Sequence, residues 1–252
     1  MRGVAFVGGL VLAGVAVVCG SPVVSPSFAA NLPSPNAPAA TTPNEERFLI
    51  FSGFDGWQSG SFGHAGVTWS PQGLNQEGFV AKFMAGSGTY KYLAGSINTT
   101  GYVTLLDAAP GWRFKWGTTE LTVYGGIDVQ SHRLRPDDLN NSSRGFHIGA
   151  RAGADLWMQP TAATMASASL SFASVGNSYW SRLAYGWRVL DKFYIGPEAH
   201  ALGDETYRQW RLGIHATALK VGNFEWSIGA GFVEDSDERS GFYGRIGLLL
   251  RR

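Results

Sequence analysis

From Phe193 to Ala218 the chain alternates apolar and polar residues through two runs, broken at Gly203-Asp204. In the first run Phe193, Ile195, Pro197, Ala199 and Ala201 share one face, and Tyr194, Gly196, Glu198 and His200 share the other. In the second, Trp210, Leu212, Ile214, Ala216 and Ala218 oppose Gln209, Arg211, Gly213, His215 and Thr217. Successive side chains of a strand point to opposite faces, so each run has one oily side and one partly ionic side. A helix would instead place apolar residues at i, i+3, i+4 and i+7. The pattern predicts an antiparallel hairpin.

The same period recurs from Arg47 onward. It predicts strands over Phe48 to Trp57, His64 to Trp69, Phe79 to Tyr92, Tyr102 to Trp116, Glu120 to His132 and Phe146 to Trp157. Thr164 to Phe172, Tyr179 to Val189, the hairpin, Phe224 to Phe232 and Phe242 to Leu250 complete the set. Short connections (116–118, 158–160, 190–191, 220–222) contrast with longer polar ones (136–143, 234–240). About twelve strands with short turns on one rim and longer loops on the other predict an all-β, up-and-down antiparallel transmembrane β-barrel. Both termini then fall on the periplasmic rim.

Composition sharpens this picture. Charged residues make up 15% of the chain, against roughly 25% in soluble domains, while glycine reaches 34 residues and aromatics 13%. Twenty basic against 19 acidic side chains leave a formal charge of +1, which argues against nucleic acid as a partner. A soluble β-sandwich would turn the oily rows inward, but strand length, sparse charge and the breadth of the polar face oppose that reading. Arg2, the apolar stretch Gly3 to Val18 and the small-x-small site Ser27-Phe28-Ala29 have the layout of a cleaved signal peptide over residues 1–29. Residues 30–46, rich in Pro, Ala and Asn, are expected to be disordered. The barrel takes 47–252, in the outer membrane of a Gram-negative bacterium.

Aromatic residues fall near strand ends, where bilayer meets water. Trp69, Trp112, Trp116, Trp187, Trp210 and Trp226 are expected in these belts, with Trp57, Trp157, Tyr179, Trp180 and Tyr243 beside them. The polar rows put Asp107, Arg113, Asp128, His147, Arg151, Asp155, Arg182 and Arg188 toward the lumen, with Tyr194, Glu198, His200, Arg211, His215 and Arg245. Asp55, Lys82, Lys115 and Glu225 have the same parity. Mixed signs suit either an ion-paired lining, since lone buried charges are costly, or a polar conduit for an uncharged sugar chain. With Cys19 the only cysteine, no thiolate metal site can form. Glu198 and His200 are only two ligands on one strand, and the acidic tip Asp235, Asp237, Glu238 reads as solvated. No metal, cofactor or catalytic residue is assigned. GxSxG and HExxH are absent.

Six segments carry a family signature: SGFDGWQSGSFGHAGVTWSPQGL, GTYKY, PGWR, GADLWMQPTAATM, GWRVLDKFYIGPEAHALG and YRQWRLGIHAT. Together they resemble the cellulose biosynthesis protein BcsS family from about Phe51 to the C-terminus. The resemblance implies an outer-membrane protein, surrounded by outer-membrane lipid, that assists cellulose biosynthesis and export. A glucan chain and the cellulose synthase complex are the implied partners, and no catalytic motif transfers with them. The barrel would act as a conduit or as an accessory of the complex. Two other readings compete: a lipid-modifying enzyme (acyl hydrolase or acyltransferase) with a Ser/His pair on the lipid face, and a plugged structural barrel.

Overall fold

Alternation closes on itself in the computed structural model, which describes residues 46–205 and 207–252. The expected signal peptide and all but the last residue of the lead-in lie outside the described residues. Twelve strands run in sequence order: β1 (Phe48–Trp57), β2 (Gly60–Trp69), β3 (Gly78–Ala94), β4 (Ile97–Trp116), β5 (Thr119–Arg135) and β6 (Gly145–Thr161). They continue as β7 (Thr164–Ala173), β8 (Ser178–Val189), β9 (Phe193–Gly203), β10 (Arg208–Val221), β11 (Phe224–Asp235) and β12 (Ser240–Arg251). Each strand pairs antiparallel with its chain neighbours, and β1 joins β12, as in Phe51 opposite Leu249 and Asp55 opposite Arg245. Closure leaves no sheet edge, as a strand-built membrane span requires. Some strands exceed the expected length, β4 reaching 20 residues, and β2 begins at Gly60 rather than His64.

The oily rows face outward. Phe54, Phe83, Leu106, Ile127, Ile148, Leu183, Leu212 and Ile246 are all exposed on the outer wall. Soluble monomers rarely show contiguous apolar patches above a few hundred Å², so this band belongs in lipid. Trp69, Trp112, Trp116 and Trp187 are exposed near the rim that carries the termini, Trp226 is half-exposed there, and Trp210 lies at the opposite rim. Trp69 meets Phe79 edge-on at 6.3 Å, and Phe114 stacks on Trp116 at 5.7 Å.

Four residues expected in the belts turn inward instead. Trp57, Trp157, Trp180 and Tyr243 are at most 8% exposed. The reason is strand parity: Trp57 shares a face with Asp55, Trp157 with Asp155, Trp180 with Arg182 and Tyr243 with Arg245. Position near a strand end does not override the two-residue period.

The pairing slips at two places, between Met158 and Thr161 and between Ala216 and Leu219. At the second, Ala218 adopts φ 65° and turns inward against Trp157, Met165 and Tyr194. A bulge of this kind re-aims one side chain without breaking the barrel.

Candidate functional site: the lumen and its two ends

An eight-stranded barrel is just wide enough to be filled by ordinary side chains. Twelve strands enclose more space, and here long or ringed side chains occupy it. Five acids (Asp55, Asp107, Asp128, Asp155, Glu198) and five bases (Lys82, Arg151, Arg182, Arg211, Arg245) point into the middle of the lumen. None of the ten is more than 6% exposed. A lumen open to water would leave such groups wet, so the interior is packed.

On one side, Arg151 donates to Asp128 through Nη2 at 2.7 Å and Nε at 3.2 Å, lies 3.5 Å from Asp107, and donates to Ser171 at 3.0 Å. Gln130 donates to Asp128 at 2.6 Å, and His132 links Gln130 at 2.9 Å to the Tyr90 hydroxyl at 3.1 Å. Lys82 crosses from β3 to Asp155 on β6 at 3.5 Å, with its ammonium 4.5 Å from the Tyr124 ring. Three acids against two bases make this side net negative.

On the other, Glu198 is the hub. Arg245 donates to its Oε2 at 2.6 Å, Arg182 donates at 2.9 Å, and the Tyr243 hydroxyl donates to its Oε1 at 2.9 Å. His200 stands 3.5 Å away. Arg245 also donates to Ser227 at 2.9 Å. Arg211 reaches from β10 to Asp55 on β1 at 3.0 Å, with its guanidinium 4.8 Å from the Trp57 ring. Three bases against two acids make this side net positive, so the two sides balance. Lys82–Asp155, Glu198–Arg245 and Arg211–Asp55 each join strands three apart in the sheet. These chords cross the lumen. Charge-assisted contacts of this kind, bidentate between Arg245 and Glu198, satisfy charges that burial would otherwise penalise.

Four of the expected lumen residues sit away from this middle: His147, Arg188, Tyr194 and Arg113, the last held at the terminus-bearing rim. His147 is half-buried at the outer mouth, within 3.1 Å of the Arg144 carbonyl. Arg188 and Tyr194 lie toward the terminus-bearing rim, where Arg188 and Gln159 both donate to the Tyr194 hydroxyl at 2.5 Å. His215 bonds Thr217 at 2.9 Å and the Tyr185 carbonyl at 3.2 Å. All five histidines occupy the inward parity, so a lipid-face Ser/His pair has no histidine to supply it. Glu198 is occupied by arginines rather than free to hold a metal.

The terminus-bearing rim carries a feature that alternation does not reveal. Residues 70–77, the connection between β2 and β3, fold across that end. Leu74 is buried with Leu49 and Leu249, and its amide donates to the Glu46 carbonyl at 2.7 Å. Arg113 donates to the Leu74 carbonyl at 2.5 Å and pairs with Glu120 at 3.0 Å. Lys115 donates to the Asn75 carbonyl at 3.0 Å, and Arg251 to the Asn75 side chain at 3.2 Å. The anomaly visible in the sequence was length: eight residues with an apolar Leu74, on a rim otherwise made of tight turns.

The outer mouth is laced as well. Tyr207 donates to Asp235 at 3.2 Å, and burial, then that carboxylate, raises the phenol above its ordinary range. Arg239 bonds Asp235 at 3.0 Å, Asp237 at 2.8 Å and the Lys91 carbonyl at 2.9 Å. An arginine therefore sits among the acids of this tip.

A closed twelve-strand sheet with an oily exterior, an aromatic girdle and an ion-paired interior defines a β-barrel of the outer-membrane type. The chain belongs to the cellulose biosynthesis protein BcsS family, whose model matches residues 49–252. Its fold is similar to the translocator domain of the autotransporter NalP from Neisseria meningitidis, at 13% identity and TM-score 0.52, covering 83% of this chain and 90% of that one. It is also similar to the KdgM porin at 10% identity and TM-score 0.48, covering 80% of this chain and 98% of that one. At these identities the likeness is one of fold alone. No curated protein matches the chain.

Proposed function

We propose that this barrel serves cellulose secretion as a closed outer-membrane accessory of the synthase complex, not as the passage through which glucan leaves. Family membership supports the tie to cellulose biosynthesis. The single observation behind the closed reading is the packed middle of the lumen, where five acids and five bases are at most 6% exposed. Opening it for a sugar chain would require separating several buried ion pairs at once, each costing about 3–5 kcal/mol when one partner is lost. The loop 70–77 adds a second closure at the terminus-bearing end. In this role the barrel contributes its outer wall and rims, where periplasmic turns and external loops are free to meet partners.

Planar bilayers containing the purified protein test this reading. It predicts no steady single-channel conductance and no response to cellohexaose. Steady conductance that cellohexaose reduces would restore the conduit.

A further inference from the structure

The outer walls of β4 and β5 carry two adjoining depressions of opposite character. Toward the external end, Tyr102, Thr104, Ser131, Arg133 and Arg135 line a polar recess of about 350 Å³. Below it an open trough of about 510 Å³ runs over Ala65, Phe83, Ala85, Leu106, Ala108 and Ile127. The registers place one directly over the other: Tyr102 opposite Arg133, Thr104 opposite Ser131, Leu106 opposite Val129, Ala108 opposite Ile127. Trough depth comes from small residues, since Ala65 lies opposite Ala85 and Ala108 sits between the larger Phe83 and Ile127.

The height of the recess matters. Tyr102 lies ten residues along β4 from the belt residue Trp112, and at about 3.3 Å per residue on a strand tilted about 40° that is roughly 25 Å, the apolar thickness of such a barrel. The recess thus sits at the external headgroup level, and the trough sits at the depth of outer-leaflet acyl chains. Both arginines face outward. Among the described residues neither Arg133 nor Arg135 has an ion pair or side-chain hydrogen bond. The acids of the next loop are engaged elsewhere: Asp137 with Arg144 at 2.6 Å, Asp138 with the Tyr92 hydroxyl at 2.9 Å. Lys91, opposite Thr100, which in turn faces Arg135, adds a third outward base to that row.

We propose that this face binds one phosphorylated, multiply acylated lipid of the outer leaflet, its phosphate on Arg133 and Arg135 and one acyl chain in the trough. Planar guanidinium forks match phosphate oxygens two by two. Tyr102 offers a hydroxyl and a ring at the same level, the usual place of interfacial aromatics. An ordinary zwitterionic phospholipid would fill the trough but leave two cations uncompensated. A free anion would meet the arginines but gain nothing from the trough.

Native mass spectrometry of the folded barrel in detergent tests the assignment. The probes are bis-phosphorylated lipid A, dephosphorylated lipid A, phosphatidylglycerol, phosphatidylethanolamine and inorganic phosphate. The expected result is a single adduct with bis-phosphorylated lipid A, held at least ten-fold more tightly than the other four. Combining Arg133→Ala with Arg135→Ala should lower that affinity at least ten-fold. Ala108→Phe, which fills the trough and leaves the arginines, should lower it several-fold. The unboiled gel shift confirms that each variant is folded, and because these side chains face outward the shift should be unchanged. Equal retention of phosphatidylethanolamine or phosphatidylglycerol would overturn the proposal, as would phosphate binding as tightly as lipid A. An unaltered adduct in the double arginine variant would also overturn it.

Discussion

Glu198 shows why single residues matter so much inside this barrel. Two guanidinium groups and the Tyr243 hydroxyl converge on one buried carboxylate. Removing its charge leaves Arg182 and Arg245 buried without a counter-ion. Glu198→Gln should therefore lower stability by about 3–5 kcal/mol, read as a fall in the urea midpoint of the refolded barrel in detergent. A loss under about 1 kcal/mol would show that water already reaches the pair. Gly229 makes a related point, because a Cβ there would collide with the Glu198 carboxylate and the Arg245 side chain. Gly229→Ala should cost about 1–3 kcal/mol through overpacking, measured the same way. At Ala218, whose φ of 65° favours glycine, Ala218→Val should destabilise by about 1–3 kcal/mol, while Ala218→Gly stays nearly neutral.

Among the elements, the strands were legible in the sequence and the closures were not. Alternation from Phe48 to Leu250 marks the strands and assigns residues to lipid or lumen by parity, except where a bulge intervenes, as at Ala218. Trp57, Trp157, Trp180 and Tyr243 show that parity outranks position: the information was present, and the pull of a belt at strand ends concealed it. The loop 70–77 is a different case. Its role depends on Arg113, Lys115 and Arg251, brought to it from other strands, and no local pattern announces such meetings. Replacing residues 70–77 with a two-residue turn should leave the barrel without steady conductance, because the ion pairs behind the loop still fill the middle. Conductance from that deletion alone would move the closure from the side chains to the loop.

For the whole molecule, the candidate site was half readable. The charged inward residues follow from the period, but whether they line a channel or fill a core depends on barrel girth and on contacts between strands three apart. Lys82 with Asp155 and Arg211 with Asp55 are separated by 73 and 156 positions in the chain. Neutral and amide partners such as Gln130, His132, Ser171 and Ser227 carry no signal that marks them in sequence, yet they complete the networks. The outward arginines Arg133 and Arg135 were visible as charges, but their unpaired state was not.

Accessibility of single cysteines tests the closed lumen most directly. In a Cys19→Ser background, Ser171→Cys and Ser227→Cys place a thiol at buried, inward positions on opposite sides of the lumen. In folded protein reconstituted into liposomes, a charged water-soluble methanethiosulfonate should leave both unmodified over the time that labels an exposed loop cysteine at Asn140, and should modify them after unfolding. Rapid labelling of either site in the folded barrel would mean that water fills the lumen, and the account of a packed, ion-paired interior would be wrong.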